Sequence, residues 1–138
     1  MFSGTYKYVL DANAIRCLSY DQICSKKRND RMIVTIEDVK HEVASLKKLD
    51  AVIIESLNQD AFRIMGEIIN KFQSVRDIVD YYDNKGTADV GLLSYSLSSN
   101  DGRLYEDEVV IVTDDNGLRN ACNEIGVDWI SVDDFNNL

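Results

Sequence analysis

The chain reads as an α/β fold, a central, mainly parallel sheet covered by helices on both faces, three layers in one domain over residues 1–138. Three observations predict it. Short apolar β-runs alternate with segments of helical length, the pattern that produces a parallel sheet with both faces covered. Two of those runs, Tyr6-Lys7-Tyr8-Val9-Leu10 and Val109-Val110-Ile111-Val112, lead into carboxylates, at Asp11 and, through Thr113, at Asp114 and Asp115. In 138 residues, 45% hydrophobic and 28% charged, no proline, repeat or low-complexity tract splits the chain. That length and composition suit one globular core rather than disorder.

Residues 6–10 predict the first strand and 12–24 a helix, with Ile15 and Leu18 on its apolar face. After a polar stretch, Ser25 to Arg31, the run Met32-Ile33-Val34-Thr35 predicts a second strand, followed by a helix over 36–48. Residues 50–82 carry Val52, Ile53, Leu57, Phe62, Ile68, Ile69 and Phe72 at mixed helical spacing and predict one or two helices. Asn84-Lys85-Gly86 breaks that segment, and Thr87 begins a helix to about Leu97. A polar loop from Ser98 to Glu108 precedes the strand 109–113, a helix over 116–125 closed by Gly126, a short strand at 128–131 and a terminal turn or helix at 132–138.

The formal charge of −9 argues against tight, non-specific binding of duplex DNA, which phosphate neutralisation drives. It leaves a nucleic-acid substrate open, because divalent ions offset negative charge where a phosphate sits. Lys26, Lys27, Arg28 and Arg31 fall in one short segment, and Lys47 and Lys48 close a predicted helix. These cations read either as a phosphate track or as solvated charge favourable at a helix C-terminus. Cys17, Cys24 and Cys122 are odd in number and form no C-x-x-C, so they read as free thiols of a reducing, cytoplasmic compartment. No secretory signal or membrane-spanning apolar run is visible.

The acids carry the functional signal. In an open parallel sheet, ligands bind outside the carboxyl ends of the strands, and hard cations take oxygen ligands. In the helix after the second strand, Ile36, Val39, Val43 and Leu46 define the buried stripe. At about 100° per residue, Glu42 lies roughly 70° from the stripe's centre. Glu37 points to the far side, and Asp38 lies farther off the stripe than Glu42. In the helix 87–97, Asp89 falls between Leu92 and Leu93, inside an apolar face where a carboxylate is costly unless paired or metal-bound. For a single Asp at a strand end, the ordinary reading is an N-cap of the next helix. Four acids at two strand ends and two inward helix edges predict a metal-dependent site.

The segments Leu10-Asp11-Ala12-Asn13, Thr35-Ile36-Glu37-Asp38-Val39-Lys40-His41-Glu42-Val43, Gly86-Thr87-Ala88-Asp89-Val90-Gly91-Leu92-Leu93 and Val112-Thr113-Asp114-Asp115-Asn116-Gly117-Leu118, in that order, resemble the PIN-domain ribonucleases. The resemblance covers nearly the whole chain. It implies a Rossmann-like α/β/α domain in which three or four acids bind Mg2+ or Mn2+ and cut single-stranded RNA. Carried over by position, Asp11, Glu42, Asp89 and Asp115 are the catalytic and metal-binding acids, with Asn13, Thr113 and Asp114 in support. Glu37 competes with Glu42 for the second place. The resemblance further implies either a VapC-type toxin with an antitoxin partner or a stand-alone RNA-processing nuclease, and it admits a homodimer.

The residue types suit that chemistry. Phosphodiester cleavage must stabilise phosphate charge and activate water, and magnesium ions held by carboxylates do both. His41, the only histidine, has no Cys or second His for a zinc site and reads as an exposed helix residue. Tyr81, Tyr82 and Tyr95 are candidates for stacking on bases. The alternatives are a non-catalytic, receiver-like or PIN-like interaction module and a flap-type DNA nuclease. Against a receiver, the strand 32–35 ends without an Asp and no lysine follows Lys85. Against a flap nuclease, no added helical arch is visible.

Overall fold

The apolar run Tyr6–Leu10 becomes the central strand, β1, of a five-stranded sheet in the computed structural model, which describes residues 6–43, 47–82, 86–100 and 108–138. β2 (Arg31–Ile36) and β4 (Glu108–Val112) flank it, and β3 (Ile53–Glu55) and β5 (Asp128–Ile130) form the edges, in the order β3-β2-β1-β4-β5. Every pairing is parallel. Val9, Leu10, Ile33, Val34, Ile111 and Val112 of the three inner strands are sealed from solvent, as strands covered on both faces must be.

α1 (Ala12–Cys17) and α2 (Tyr20–Lys26) join β1 to β2, and α3 (Glu37–Glu42) with a 3-10 turn (Lys47–Ala51) joins β2 to β3. α4 (Gln59–Lys71), α5 (Gln73–Tyr82) and α6 (Gly86–Asn100) then carry the chain back over β1 to β4, and α7 (Asn116–Ile125) leads to β5 and α8 (Val132–Asn136). Parallel crossovers are right-handed, so reversing the direction of winding places the second set of helices on the opposite face. Accordingly α2 packs beside α8 and the 3-10 turn, whereas α4, α5, α6 and α7 pack on one another. β1 meets both layers. The Tyr8 ring lies edge-on to Phe135 of α8 at 5.6 Å, and Lys7 Nζ lies 5.9 Å from the Tyr95 ring of α6.

α6 is the most buried helix. Val90 and every residue from Gly91 to Ser96 are inaccessible, and the hydroxyls of Ser94 and Ser96 donate to Val90 O (2.9 Å) and Leu92 O (2.8 Å). This back-bonding satisfies both hydroxyls inside the core. Gly91 lets α6 approach β2, since a Cβ there would stand 2.8 Å from Ile36 Cδ1.

Several elements differ from the sequence expectation, each for a local reason. The helix expected over 12–24 is two helices, because Ser19 caps α2 and Gln22 caps Ser19 in return, a capping box that stops α1 at Leu18. The helix expected over 36–48 ends at Glu42. Residues 44–46 lie outside the described residues, and Lys48 belongs to the 3-10 turn. The Lys48 ammonium donates instead to the last carbonyls of α1, Ile15 O (3.1 Å) and Arg16 O (2.7 Å). β3 was hidden in the segment expected to be helical, where pairing with Val34–Ile36 overrides the helical spacing. Asn84-Lys85 and the loop residues 101–107 lie outside the described residues. Among the described residues no helix is long and apolar enough to cross a membrane.

Two glycines make opposite predictions. Gly66, on the exposed face of α4, has open space where a Cβ would go. Gly66→Ala is expected to raise unfolding free energy by roughly 1 kcal/mol, the helix-propensity difference. Gly91→Ala gains the same propensity but drives a methyl into buried Ile36, and overpacking of this kind costs about 1–3 kcal/mol. Urea titrations of the two variants should therefore separate them, with only Gly66→Ala clearly stabilised.

Candidate functional site

Strand ends create the site. Because Leu10 pairs with Val112, β1 and β4 finish side by side, and Asp11 N–H donates to Val112 O at 3.3 Å. The winding reverses between these two strands, the place where open α/β sheets form a ligand crevice. Thr35, fully buried at the end of β2, donates its hydroxyl to Leu10 O at 2.7 Å and fixes the backbone just before Asp11.

Asp11 is 3% exposed and both its oxygens are engaged. Oδ1 accepts from Ala14 N–H at 2.7 Å, capping α1, and Oδ2 accepts from the Thr113 hydroxyl at 2.5 Å. The same hydroxyl oxygen accepts from Asp115 N–H at 3.0 Å. Asp115, half-buried, caps α7 in the same way, its Oδ1 accepting from Leu118 N–H at 2.9 Å. Both strand-end acids are thus helix N-caps. A carboxylate offers about four lone-pair positions, so capping leaves each able to accept a further ligand.

Asp89 behaves differently. It lies in the first turn of α6, half-buried, and makes no hydrogen bond or ion pair among the described residues. Burial first, and then the charges of Asp115, Asp11 and Glu42, push its carboxyl up to about 7. Burial also raises Asp11, against the lowering effect of its Thr113 and Ala14 hydrogen bonds. The acids expected from sequence therefore share one electrostatic neighbourhood at the carboxyl edge. They do not close around a point: among the described residues no three Asp, Glu, His or Cys side chains stand where one ion could be held.

The two candidates on α3 separate. Glu42 ends the helix, exposed, and its charge reaches Asp89. Glu37 turns away and accepts from Ser56 Oγ at 3.2 Å. Asp38, one turn before Glu42, is the half-buried acid of α3, with Oδ2 3.6 Å from where a Cβ on Gly91 would stand. The wheel ranked Asp38 behind Glu42, because it placed the helix axis relative to a stripe running to Leu46, past the true end of α3. The i, i+4 spacing of Asp38 and Glu42 was the signal that puts both on one side.

The supporting residues divide as well. Thr113 sits between the acids as described. Asp114 is spent on structure: its Oδ1 accepts from Arg119 Nη2 (2.9 Å) and Val132 N–H (3.1 Å). Asn13 is exposed and meets Cys17 Sγ at 3.9 Å, not a carboxylate. Thr35 and Arg119 were missed by sequence reasoning, since a lone buried threonine and a helical arginine carry no pattern. Cys122 neighbours Asp89 but is buried, and its thiol is pushed up to about 12 by burial and then by Asp89. It is a protonated core thiol rather than a ligand. Cys24 is half-buried and Cys17 exposed, so the three thiols are free as expected.

The basic segment is remote from the acids. Tyr6 pairs with Arg31, five residues before Asp11, which at about 3.3 Å per residue is roughly 17 Å away. Arg28 Nη1 donates to Ser25 O and Lys27 O, and Arg31 Nη1 to Lys26 O. These cations serve carbonyls at the end of α2, the helix C-terminus reading. Tyr95 is 7% exposed beneath Lys7 and offers no face to a base, and the side chains of Tyr81 and Tyr82 lie outside the described residues. His41 is exposed on α3.

The raised Asp89 carboxyl fixes the sign of a pH effect. Between about pH 4 and pH 7 the folded protein keeps a proton that the unfolded chain has lost, so stability falls as pH rises through that window. Asp89→Asn removes this penalty. In metal-free buffer the variant should exceed the unmodified protein in stability at pH 8, on the order of a few kcal/mol, and match it near pH 3.5. Chemical denaturation at both pH values checks this, and equal stabilities at pH 8 would contradict it.

Compared with known proteins, the chain matches no family model and no curated protein.

Proposed function

We propose that the chain is a metal-dependent endoribonuclease that cleaves single-stranded RNA by water attack on a phosphodiester. The observation that carries the reading is Asp89, a half-buried carboxylate with no cationic partner among the described residues, held in the field of Asp11, Asp115 and Glu42. Like charges are kept together at such cost when something positive completes them. The donor set is all oxygen, which suits a hard divalent cation, and an array that is not closed suits magnesium, which keeps several of its waters. The choice of RNA and of PIN-type chemistry rests on the order of the four acidic segments along the chain.

A magnesium or manganese ion bound there supplies phosphate charge neutralisation and a more acidic water. The chain's own residues set its place. Asp11 presents the outer lone pairs of a carboxylate already locked by Ala14 N–H and the Thr113 hydroxyl. Asp115 presents Oδ2, since Oδ1 is held in the α7 cap. Asp89 exchanges its proton near neutrality, so cation binding there releases a proton and strengthens as pH rises. Glu42, exposed at the rim, is placed to orient a water at the edge of the site.

The caps favour a second reading, a non-catalytic module, because they give Asp11 and Asp115 an ordinary structural use. Substitution by asparagine separates the two, since Asn caps a helix as well as Asp does. Asp11→Asn should retain the fold yet cut a fluorescently labelled single-stranded RNA at least about a hundredfold more slowly in magnesium or manganese. Glu42→Gln should also slow cleavage, and Glu37→Gln should leave it nearly unchanged. Cleavage by Asp11→Asn at the unmodified rate would sink the catalytic reading. A reversal of the two glutamate results would make Glu37 the second acid.

A further inference from the structure

We infer that Arg119 is a positioning residue for the cation site, a role that rests on the metal reading above. Arg119 stands on the first turns of α7 and is partly buried; two of its side-chain interactions fall on the turn that follows β4 and the third on β5. Nε donates to Thr113 O at 3.1 Å, Nη2 donates to Asp114 Oδ1 at 2.9 Å, and the guanidinium lies 4.4 Å from the centroid of the Trp129 ring. Trp129 is itself anchored, its indole N–H donating to Asn123 Oδ1 at 2.9 Å.

Thr113 is therefore held from two sides. Its carbonyl is fixed by Arg119, while its hydroxyl links Asp11 Oδ2 and Asp115 N–H. Asp114, between Thr113 and Asp115, is fixed by Arg119 and by Val132 N–H at the start of α8. The planar guanidinium, with donors in a rigid fork, can bind a carbonyl and a carboxylate at once while stacking on an indole, and a lysine ammonium cannot. Arg119 thus sets the conformation of residues 113–115 and through it the separation of the Asp11 and Asp115 carboxylates. Partners that hold a ligand in place govern metal affinity by about 10–100-fold when removed, and Arg119 acts one step further out, through Thr113.

The sign of the effect distinguishes positioning from plain electrostatics. Arg119 is a positive charge beside an acidic site, so by Coulomb's law alone its removal should tighten cation binding. Positioning requires the opposite. The experiment is calorimetric titration of the full chain with manganese chloride alone, at a temperature where circular dichroism shows each variant folded. Arg119→Met keeps an apolar stem over Trp129 and should bind manganese at least about tenfold more weakly. Arg119→Lys keeps the charge but loses the fork and should fall between the two. Arg63→Met, which removes the same charge from an exposed pair with Glu67 on α4, should bind as the unmodified protein does.

Equal or tighter binding by Arg119→Met, with the unmodified protein binding, overturns the positioning role and leaves the metal reading standing. If Arg119→Met does not fold, Arg119→Lys decides, and binding equal to the unmodified protein overturns the role. An unmodified protein that takes up no manganese overturns the metal reading, and the positioning role falls with it.

Discussion

One hydroxyl holds the carboxyl edge together. Thr113 Oγ has a single proton, which goes to Asp11 Oδ2, and its oxygen then accepts from Asp115 N–H. The group is fully buried, so neither bond competes with water. It couples the end of β1 to the turn after β4, the junction at which the sheet reverses its winding. Thr35 performs the matching task on the other side, tying the end of β2 to Leu10 O. With both threonines in place, three adjacent strands end in a fixed register, and Asp11 and Asp115 beyond them are held by hydrogen bonds.

Capping and ligand binding are often set against each other as explanations of an Asp at a strand end. On the proposed reading, one prepares the other. A helix that starts directly after a strand needs an acceptor for its first N–H groups, and Asp11 and Asp115 supply it for α1 and α7. Meeting that need pins one oxygen of each carboxylate, and the Thr113 hydroxyl engages the second oxygen of Asp11. Asp89 receives no such compensation, since it caps nothing and pairs with nothing among the described residues. On the proposed reading, this uncompensated carboxylate is the group that a bound cation would complete.

Much of the sheet and its acidic edge was legible in the sequence. The runs at 6–10, 32–35, 109–113 and 128–131 alternate with helical segments and become parallel strands, with β1 and β4 adjacent at the centre. For the three inner runs that legibility comes from burial on both faces, which forces continuous apolar runs. β3 escaped because three edge residues cannot outweigh the helical spacing around them. The split of α1 from α2 was written in Ser19 and Gln22 but is a side-chain signal that periodicity does not register. At the edge, the positions of Asp11, Asp89 and Asp115 were legible from strand ends and a helical wheel, whereas the placement of Asp38, Thr35 and Arg119 depends on where α3 stops and how turns close. Those are tertiary facts.

The molecule's charge is also polarised by its topology. The cations of residues 26–31 gather where β2 begins, Arg28 and Arg31 donating to carbonyls at the end of α2 and Lys26 to Leu138 O, with Asp30 and Glu108 nearby. At the other end of the same strands lie Asp11, Asp89, Asp115 and Glu42. A polyanion approaching the acidic edge meets repulsion that falls off over about 8–10 Å at ordinary salt. On the proposed reading, a bound divalent ion reverses the local sign, and only then does the edge attract a phosphate. Arg119 and Arg16 flank this region through Asp114 and the Glu42 carbonyl, respectively. Both guanidiniums are tied to the protein's own oxygens, so neither substitutes for the missing positive charge. On that reading the net charge of −9 and the acidic edge act together, and substrate binding would be conditional on the cation.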